Sequence, residues 1–272
     1  MSLNEAFRTR YRDEDAPVAI ADNATLRTLL DHRSVRAYLP EPLDPGVIET
    51  LVAAAQSAPS SSNLQVWSVV AVQHPARKAR LAALAGNQQH IVDAPLLLVW
   101  LIDFDRLTQI GRARGTQPQA LDYLESFVLG TVDTALAAQN AVVALESLGL
   151  GSVYIGGIRN QPSAVAAELD LPPRVFPLFG LVVGKPDPLR TAAVKPRLPQ
   201  ASVLFHETYQ WTSRQDEAAA AYNIALRAFQ RDQGMPERDW TDLAGDRTRG
   251  ADAMAGRHIL RGVLRGLGFA LR

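Results

Sequence analysis

Cysteine is absent from the 272 residues of this chain. That single absence excludes disulfides, thiolate nucleophiles, iron–sulfur clusters and cysteine-ligated zinc. Net charge is absent as well. The 28 basic and 28 acidic residues cancel, so no global field draws the protein to nucleic acid or to an anionic membrane. Long hydrophobic runs are also missing: the longest, Ala94 to Ile102, falls far short of the about 20 residues that a spanning helix needs. Residues 1–24 carry Arg8, Arg10, Arg12, Asp13, Glu14 and Asp15 with no apolar segment, and so do not read as a signal peptide. The five histidines (His32, His74, His90, His206 and His258) show no ligand spacing, and no metal site is expected. What remains is 47% hydrophobic and 21% charged, the ordinary balance of a globular enzyme. The expectation is a soluble, cytoplasmic protein, large enough to bury a substantial core.

Hydrophobic periodicity supplies the elements. Asn23 or Asp22 caps a short helix over 25–31, and Asp44-Pro45 opens a second that turns Val47, Ile48, Leu51, Val52 and Ala55 inward. Trp67 to Val72 and Leu96 to Ile102 read as buried strands, with a helix over 75–85 between them. Gly111, Gly115 and Pro118 mark residues 103–119 as a loop. The longest helical stretch runs over 121–148. Its apolar residues cover most sides, so it reads as buried in a large core or between subunits, and Gly149 ends it. Strands at Ser152–Ile155 and Phe179–Val183 flank a helix over 163–169. Helices near 216–230 and 254–267 then enclose a polar loop, 232–246. The layout is α+β, a mixed sheet wrapped by helices. It divides into an extension (1–24), a core (25–199) and a helical C-terminal excursion (200–272).

Two distant stretches gather the chemistry. The first is His32-Arg33-Ser34-Val35-Arg36, followed by Pro59 to Gln65 with Ser60, Ser61, Ser62 and Asn63. The second is Tyr154-Ile155-Gly156-Gly157-Ile158-Arg159-Asn160, followed by Lys195-Pro196-Arg197-Leu198-Pro199. Arginine, lysine and serine bind phosphate oxygens through charge-assisted hydrogen bonds, and a Gly-Gly pair lets the backbone approach a flat ring. Together they point to a flavin phosphate site. Other motifs fail on context. Gly149-Leu150-Gly151 follows a helix and lacks its third glycine. Gly180 to Lys185 is one residue short of a P-loop, with Pro186 in place of the hydroxyl.

These motifs, together with Gln88-Gln89-His90 and the Gly130–Asn140 helix segment (Gly-x-Val-Asp-x-Ala-x-Ala-Ala-Gln-Asn), resemble the nitroreductase-like FMN-dependent oxidoreductases. The similarity covers about Thr25 to Trp240 and lies closest to the larger bacterial group of oxygen-insensitive NADPH nitroreductases and flavin reductases. The resemblance implies a sandwich that works as an intertwined homodimer, with FMN at the subunit interface and NADPH or NADH as electron donor. It implies ping-pong hydride transfer to nitroaromatics, quinones or free flavins. The alternative readings are a non-enzymatic FMN-sequestering protein, or a specialised family member for reductive dehalogenation or flavin breakdown, on the same fold. Carried over residue by residue, His32, Arg33, Ser34, Lys195 and Arg197 would bind the FMN phosphate, and Arg36 and Gln88 the pyrimidine edge. Ser60, Ser62 and Asn63 would line the ribityl chain and ring, with Tyr154, Ile155, Gly156 and Gly157 against the ring. Glu125 and Arg231 are candidates for NADPH, Arg231 at its 2′-phosphate. Asn63 departs from the pattern by standing where the larger group often has an aromatic.

Overall fold

The apolar runs build one sheet. In the computed structural model, which describes residues 2–12 and 22–272, β1 (Trp67–Val72), β2 (Leu96–Asp103), β3 (Gly151–Ile155) and β4 (Val175–Gly184) pair in the order β1-β2-β4-β3. Asp13, Glu14 and Asp15 lie outside the described residues. All three strand pairings are antiparallel, and an isolated parallel bridge, Ser34 to Ser152, supplies the mixed element. The central strands β2 and β4 are buried almost throughout, which is why they read as continuous apolar runs. β4 begins at Val175, upstream of the expected Phe179, and carries Pro177 mid-strand. Pro177 lies opposite Leu101, where the β2–β4 register shifts between Trp100 and Leu101. A proline has no N–H for the ladder, and a bulge absorbs that defect.

The helices, in chain order, are α1 (Leu3–Tyr11), α2 (Ala24–Leu30), α3 (Val47–Gln56), α4 (Pro75–Leu84), α5 (Gln89–Asp93), α6 (Asp105–Ala113), α7 (Leu124–Ser147), α8 (Pro162–Glu168), α9 (Ser213–Asp232), α10 (Trp240–Thr248) and α11 (Leu260–Gly266). They fall into two compact units, one formed by residues 1–33 and 192–254, the other by 34–191 and 255–272.

In the second unit α7 lies on the sheet through Ala137, Ala138, Ala141, Val142 and Leu145, packed with Leu96, Leu98, Trp100, Leu181 and Val183 and with Leu51 and Ala55 of α3. The three alanines let helix and sheet approach closely, and each buried leucine contributes about 1.5–3 kcal/mol. Within this chain only the inner face of α7 meets the expectation of burial in a core; the outer face is uncovered. Leu124, Val128, Val132 and Leu136, one turn apart, are 54%, 49%, 50% and 40% exposed. By length and composition alone α7 could cross a membrane, yet its inner face is locked into this core. Gly149 closes it as expected, with φ +76° and its N–H donating to the Glu146 carbonyl at 3.0 Å. A second cluster joins Ile102, Phe104 and Phe176 to Leu264 and Phe269 of the C-terminal segment.

Three local expectations need correction. Residues 103–119 are not wholly loop, because α6 forms there with Thr108 and Gly111 as its buried residues. The Thr108 hydroxyl donates back to the Phe104 carbonyl at 2.8 Å, and half-buried Leu107 is the apolar contact with the core while Ile110 is exposed, so the apolar stripe is too short to read. The 232–246 loop is helical from Trp240 onward. Asp44 does not cap α3; Gly46 does, with φ +83°.

The first unit centres on Tyr222, Leu226 and Phe229 of α9 with Trp240 and Leu243 of α10. Its surprise is α1, a regular helix in the stretch with no expected structure. It opens with a full capping box: Glu5 N–H donates to Ser2 Oγ, and Ser2 N–H to the Glu5 carboxylate. Leu3, Ala6 and Phe7 are buried, and so is Arg10.

Candidate functional site

In the first unit, two segments far apart in sequence are tied to one side chain. The guanidinium of Arg10 donates to the carbonyls of Leu30 (2.8 Å), His32 (2.7 Å) and Lys195 (2.8 Å). The Arg10 carbonyl accepts from Arg197 N–H at 3.0 Å. Segment 194–197 is anchored by its alternate residues: Val194 and Pro196 are buried, while Lys195 and Arg197 are exposed. The Tyr222 hydroxyl fixes the Pro196 carbonyl at 2.9 Å. Arg33 is exposed and pairs with the Asp31 carboxylate. His32, Arg33, Lys195 and Arg197 therefore belong to one small framework. Arg231 stands apart on α9, and Glu237 holds its guanidinium through two hydrogen bonds of 3.0 and 2.9 Å. Any phosphate bound there must displace that carboxylate.

In the second unit, residues 34–38 run extended beside β3. Val35 N–H donates to the Ser152 carbonyl at 2.8 Å, and the Tyr38 hydroxyl to the Val35 carbonyl at 2.5 Å. Val35 and Tyr38 face inward and leave Ser34 and Arg36 exposed. Burial raises the Tyr38 hydroxyl pKa, against the opposing charge of Arg36. His90 is held below the ordinary histidine value, chiefly by burial and next by Arg36. Its Nε2 is buried without a hydrogen-bond partner among the described residues.

The serine-rich loop is held from below. Asp133, 2% exposed on α7, accepts from Ser60 Oγ at 2.5 Å and from Ser61 N–H at 3.1 Å. Ser60 Oγ in turn accepts from Gln65 N–H at 2.9 Å. The Ser60 hydroxyl is thus engaged inside the protein. Ser61, Ser62, Asn63 and Gln65 are the exposed members, and the last three have left-handed φ (+49°, +55° and +51°). Such strain, of order 1–3 kcal/mol per residue, collects at functional sites when the surroundings over-determine it.

β3 delivers the Gly-Gly pair. Tyr154 is its outward residue, resting edge-on against Phe179 with ring centroids 5.3 Å apart. Burial raises the Tyr154 hydroxyl pKa. The backbone then enters a 3₁₀ turn over Gly156–Asn160. A Cβ on Gly157 would sit 2.3 Å from the Ala85 carbonyl oxygen and 2.7 Å from Gln88 Nε2. Gln88 Nε2 already donates to that carbonyl at 2.8 Å, so Gln88 and Gly157 share one spot. A Cβ on Gly156 would meet Arg159 Nη2 at 3.6 Å and Arg257 Nη1 at 3.7 Å. These two guanidinium groups converge on the glycine pair. Burial and then Arg257 lower the Arg159 pKa, Arg159 donates to the Leu178 carbonyl, and Arg257 Nε donates to Asn160 Oδ1 at 2.9 Å. Glu125 is exposed in the first turn of α7.

Sequence reasoning missed Arg10, Asp133, Arg159 and Arg257 as parts of this arrangement. Arg159 and Asp133 stood inside quoted motifs, but nothing local signalled their partners. The only sequence signal for Arg10 was the Ser2-x-x-Glu5 capping box, which marks a helix and no more.

Comparison with known proteins shows the family. A model of the nitroreductase family matches residues 29–185, and a model of the nitroreductase family C-terminal domain matches residues 195–272. FMN reductase (NADPH) of Bacillus subtilis is 38% identical over 81% of this chain and 89% of its own length. Oxygen-insensitive NADPH nitroreductase of Salmonella typhimurium is 41% identical over 74% of this chain and 82% of its own length. The solved NADPH:FMN oxidoreductase of Vibrio harveyi, complexed with NAD+, superposes with a TM-score of 0.82 at 34% identity, covering 92% of this chain and all of that one. The chain belongs to the nitroreductase family, and its α+β fold is that family's fold.

Proposed function

We propose that this protein is an FMN-dependent NAD(P)H oxidoreductase that carries two electrons to a nitroaromatic, a quinone or a free flavin. One observation carries the reading: the carbonyls of His32 and Lys195 are held on the same guanidinium. Cations from both ends of the sequence thereby share one framework, as a single doubly charged phosphate requires. The glycine pair, taken by itself, suits a flavin ring. The backbone at Gly157 has no room for a side chain, and a glycine at 156 lets the backbone approach a planar ring closely.

FMN, when bound, supplies hydride acceptance and donation at its ring. The protein supplies placement and charge. His32, Arg33, Ser34, Lys195 and Arg197 hold the phosphate. Ser62 and Asn63 line the ribityl chain and ring, while Ser60 holds their loop through Asp133. Gln88 and Tyr154 to Gly157 position the ring, and exposed Arg36 sets a fixed positive charge at its pyrimidine edge, where reduction adds negative charge. Glu125 and Arg231 serve the nicotinamide nucleotide, with NADPH favoured over NADH because Arg231 can exchange Glu237 for a 2′-phosphate. The exposed stripe on α7 supports a homodimer, since four apolar residues in a row suit an interface better than water. The setting is cytoplasmic.

An anaerobic absorption spectrum before and after NADPH tests this. The purified protein should be yellow, release FMN on denaturation and bleach with NADPH. A colourless protein refutes the cofactor, and bound FMN that does not bleach leaves a flavin-sequestering protein.

A further inference from the structure

Arg10 is 6% exposed, and a buried guanidinium is tolerated only when its donors are satisfied. It lies outside both matched regions, 29–185 and 195–272, on a helix that precedes them. Three of its acceptors are main-chain carbonyls of the segments that carry the candidate phosphate cations. Two of them, Leu30 and His32, sit at the C-terminal end of α2, where a cation also complements the helix dipole.

We propose that Arg10 is a positioning residue for the cofactor phosphate, its guanidinium fixing the 32–33 and 195–196 peptide planes that present His32, Arg33 and Lys195. This rests on the assignment of FMN to the site. A trans peptide is rigid and planar. A His32 carbonyl drawn towards Arg10 therefore turns the Arg33 N–H the opposite way, away from the guanidinium. The same guanidinium fixes where Lys195 leaves the chain, and the Arg10 carbonyl holds Arg197 N–H. Arg10 thus sets His32, Arg33, Lys195 and Arg197 through their main chain. Arginine is needed for this because its planar fork spans several carbonyls at once, whereas a lysine ammonium is a single point. The N-terminal helix then has a purpose: it carries the clamp.

The test separates the phosphate from the ring. Full-length protein stripped of flavin is titrated with FMN and with riboflavin, following fluorescence quenching, for wild type, Arg10→Lys, Arg10→Met and Lys195→Ala. Arg10→Lys keeps charge and bulk and guards against a variant that merely fails to fold; circular dichroism and Tm verify this. Both Arg10 variants should raise the Kd for FMN about tenfold, the loss of roughly one charge-assisted hydrogen bond, and leave the Kd for riboflavin unchanged. An unaltered FMN-to-riboflavin ratio in both Arg10 variants, with a collapsed ratio in Lys195→Ala, overturns the clamp and keeps the phosphate site. An unaltered ratio in Lys195→Ala as well removes the phosphate assignment itself. Equal losses for both flavins show general destabilisation and overturn the proposal too.

Discussion

Replacing Gly157 by alanine adds one methyl group at the tightest point of the candidate ring site. The new Cβ would lie 2.3 Å from the Ala85 carbonyl oxygen and 3.1 Å from its carbon, about 1 Å inside ordinary contact with the oxygen. That obstacle is backbone. Gln88 can swing its amide away, but only by giving up its 2.8 Å hydrogen bond to the same carbonyl. Either the 156–160 turn or the end of α4 must move. Overpacking of this kind costs about 1–3 kcal/mol. At about 2–4 °C per kcal/mol for a chain approaching this size, Tm should fall by roughly 2–12 °C. Gly156→Ala is the internal control. Its Cβ would meet only the tips of Arg159 and Arg257, at 3.6 and 3.7 Å, so Tm should hold. Neither glycine has a left-handed φ, so the contrast is steric alone. The assay is a thermal melt together with the flavin content of the purified variants. Gly157→Ala should lose both stability and FMN. A Gly157→Ala protein that melts and binds like wild type would refute the cradle.

Three further outcomes are expected. Asp133→Asn replaces a buried acceptor with a group that points N–H donors at Ser60 or Ser61, and should cost about 2–4 kcal/mol; urea unfolding with an unchanged midpoint would contradict it. Arg36→Ala should slow flavin reduction more than it weakens FMN retention, and Arg33→Ala should do the reverse, as read by stopped-flow reduction and flavin titration; equal effects remove the division of roles. His90 is held below its ordinary value by burial, then by Arg36, so the unfolded chain binds its proton more readily than the folded one. Stability should therefore be full above about pH 6.5 and decline as pH falls through it. A Tm-against-pH curve whose acid limb is the same in wild type and His90→Gln would refute that assignment.

β2 and β4 were legible because burial on both faces leaves a continuous apolar signature; β1 has the expected ends but is only half-buried. α6 was not legible, since a helix packed by Thr108, Gly111 and half-buried Leu107 leaves only a short apolar stripe. The cap of α3 was misread because Asp44-Pro45 is a good start signal, while the turn that forms uses the left-handed freedom of Gly46. For the site, the exposed cations and the glycine pair were visible as residue types in clusters. What holds them was not. Ser60 read as a ligand hydroxyl because its partner Asp133 lies on a distant helix, and Arg10 looked like one charge in a polar N-terminus. Side chains that bind main-chain carbonyls leave no motif.

The loop at Ser62, Asn63 and Gln65 restricts how this protein can diversify. Three left-handed positions among four consecutive residues favour glycine, asparagine and aspartate and penalise β-branched side chains. Variation in what the enzyme accepts would then have to arise at neighbouring segments or through small polar exchanges here. A saturation library across 62–65, sorted for folded protein, should return a narrow, turn-like alphabet whatever oxidant is supplied.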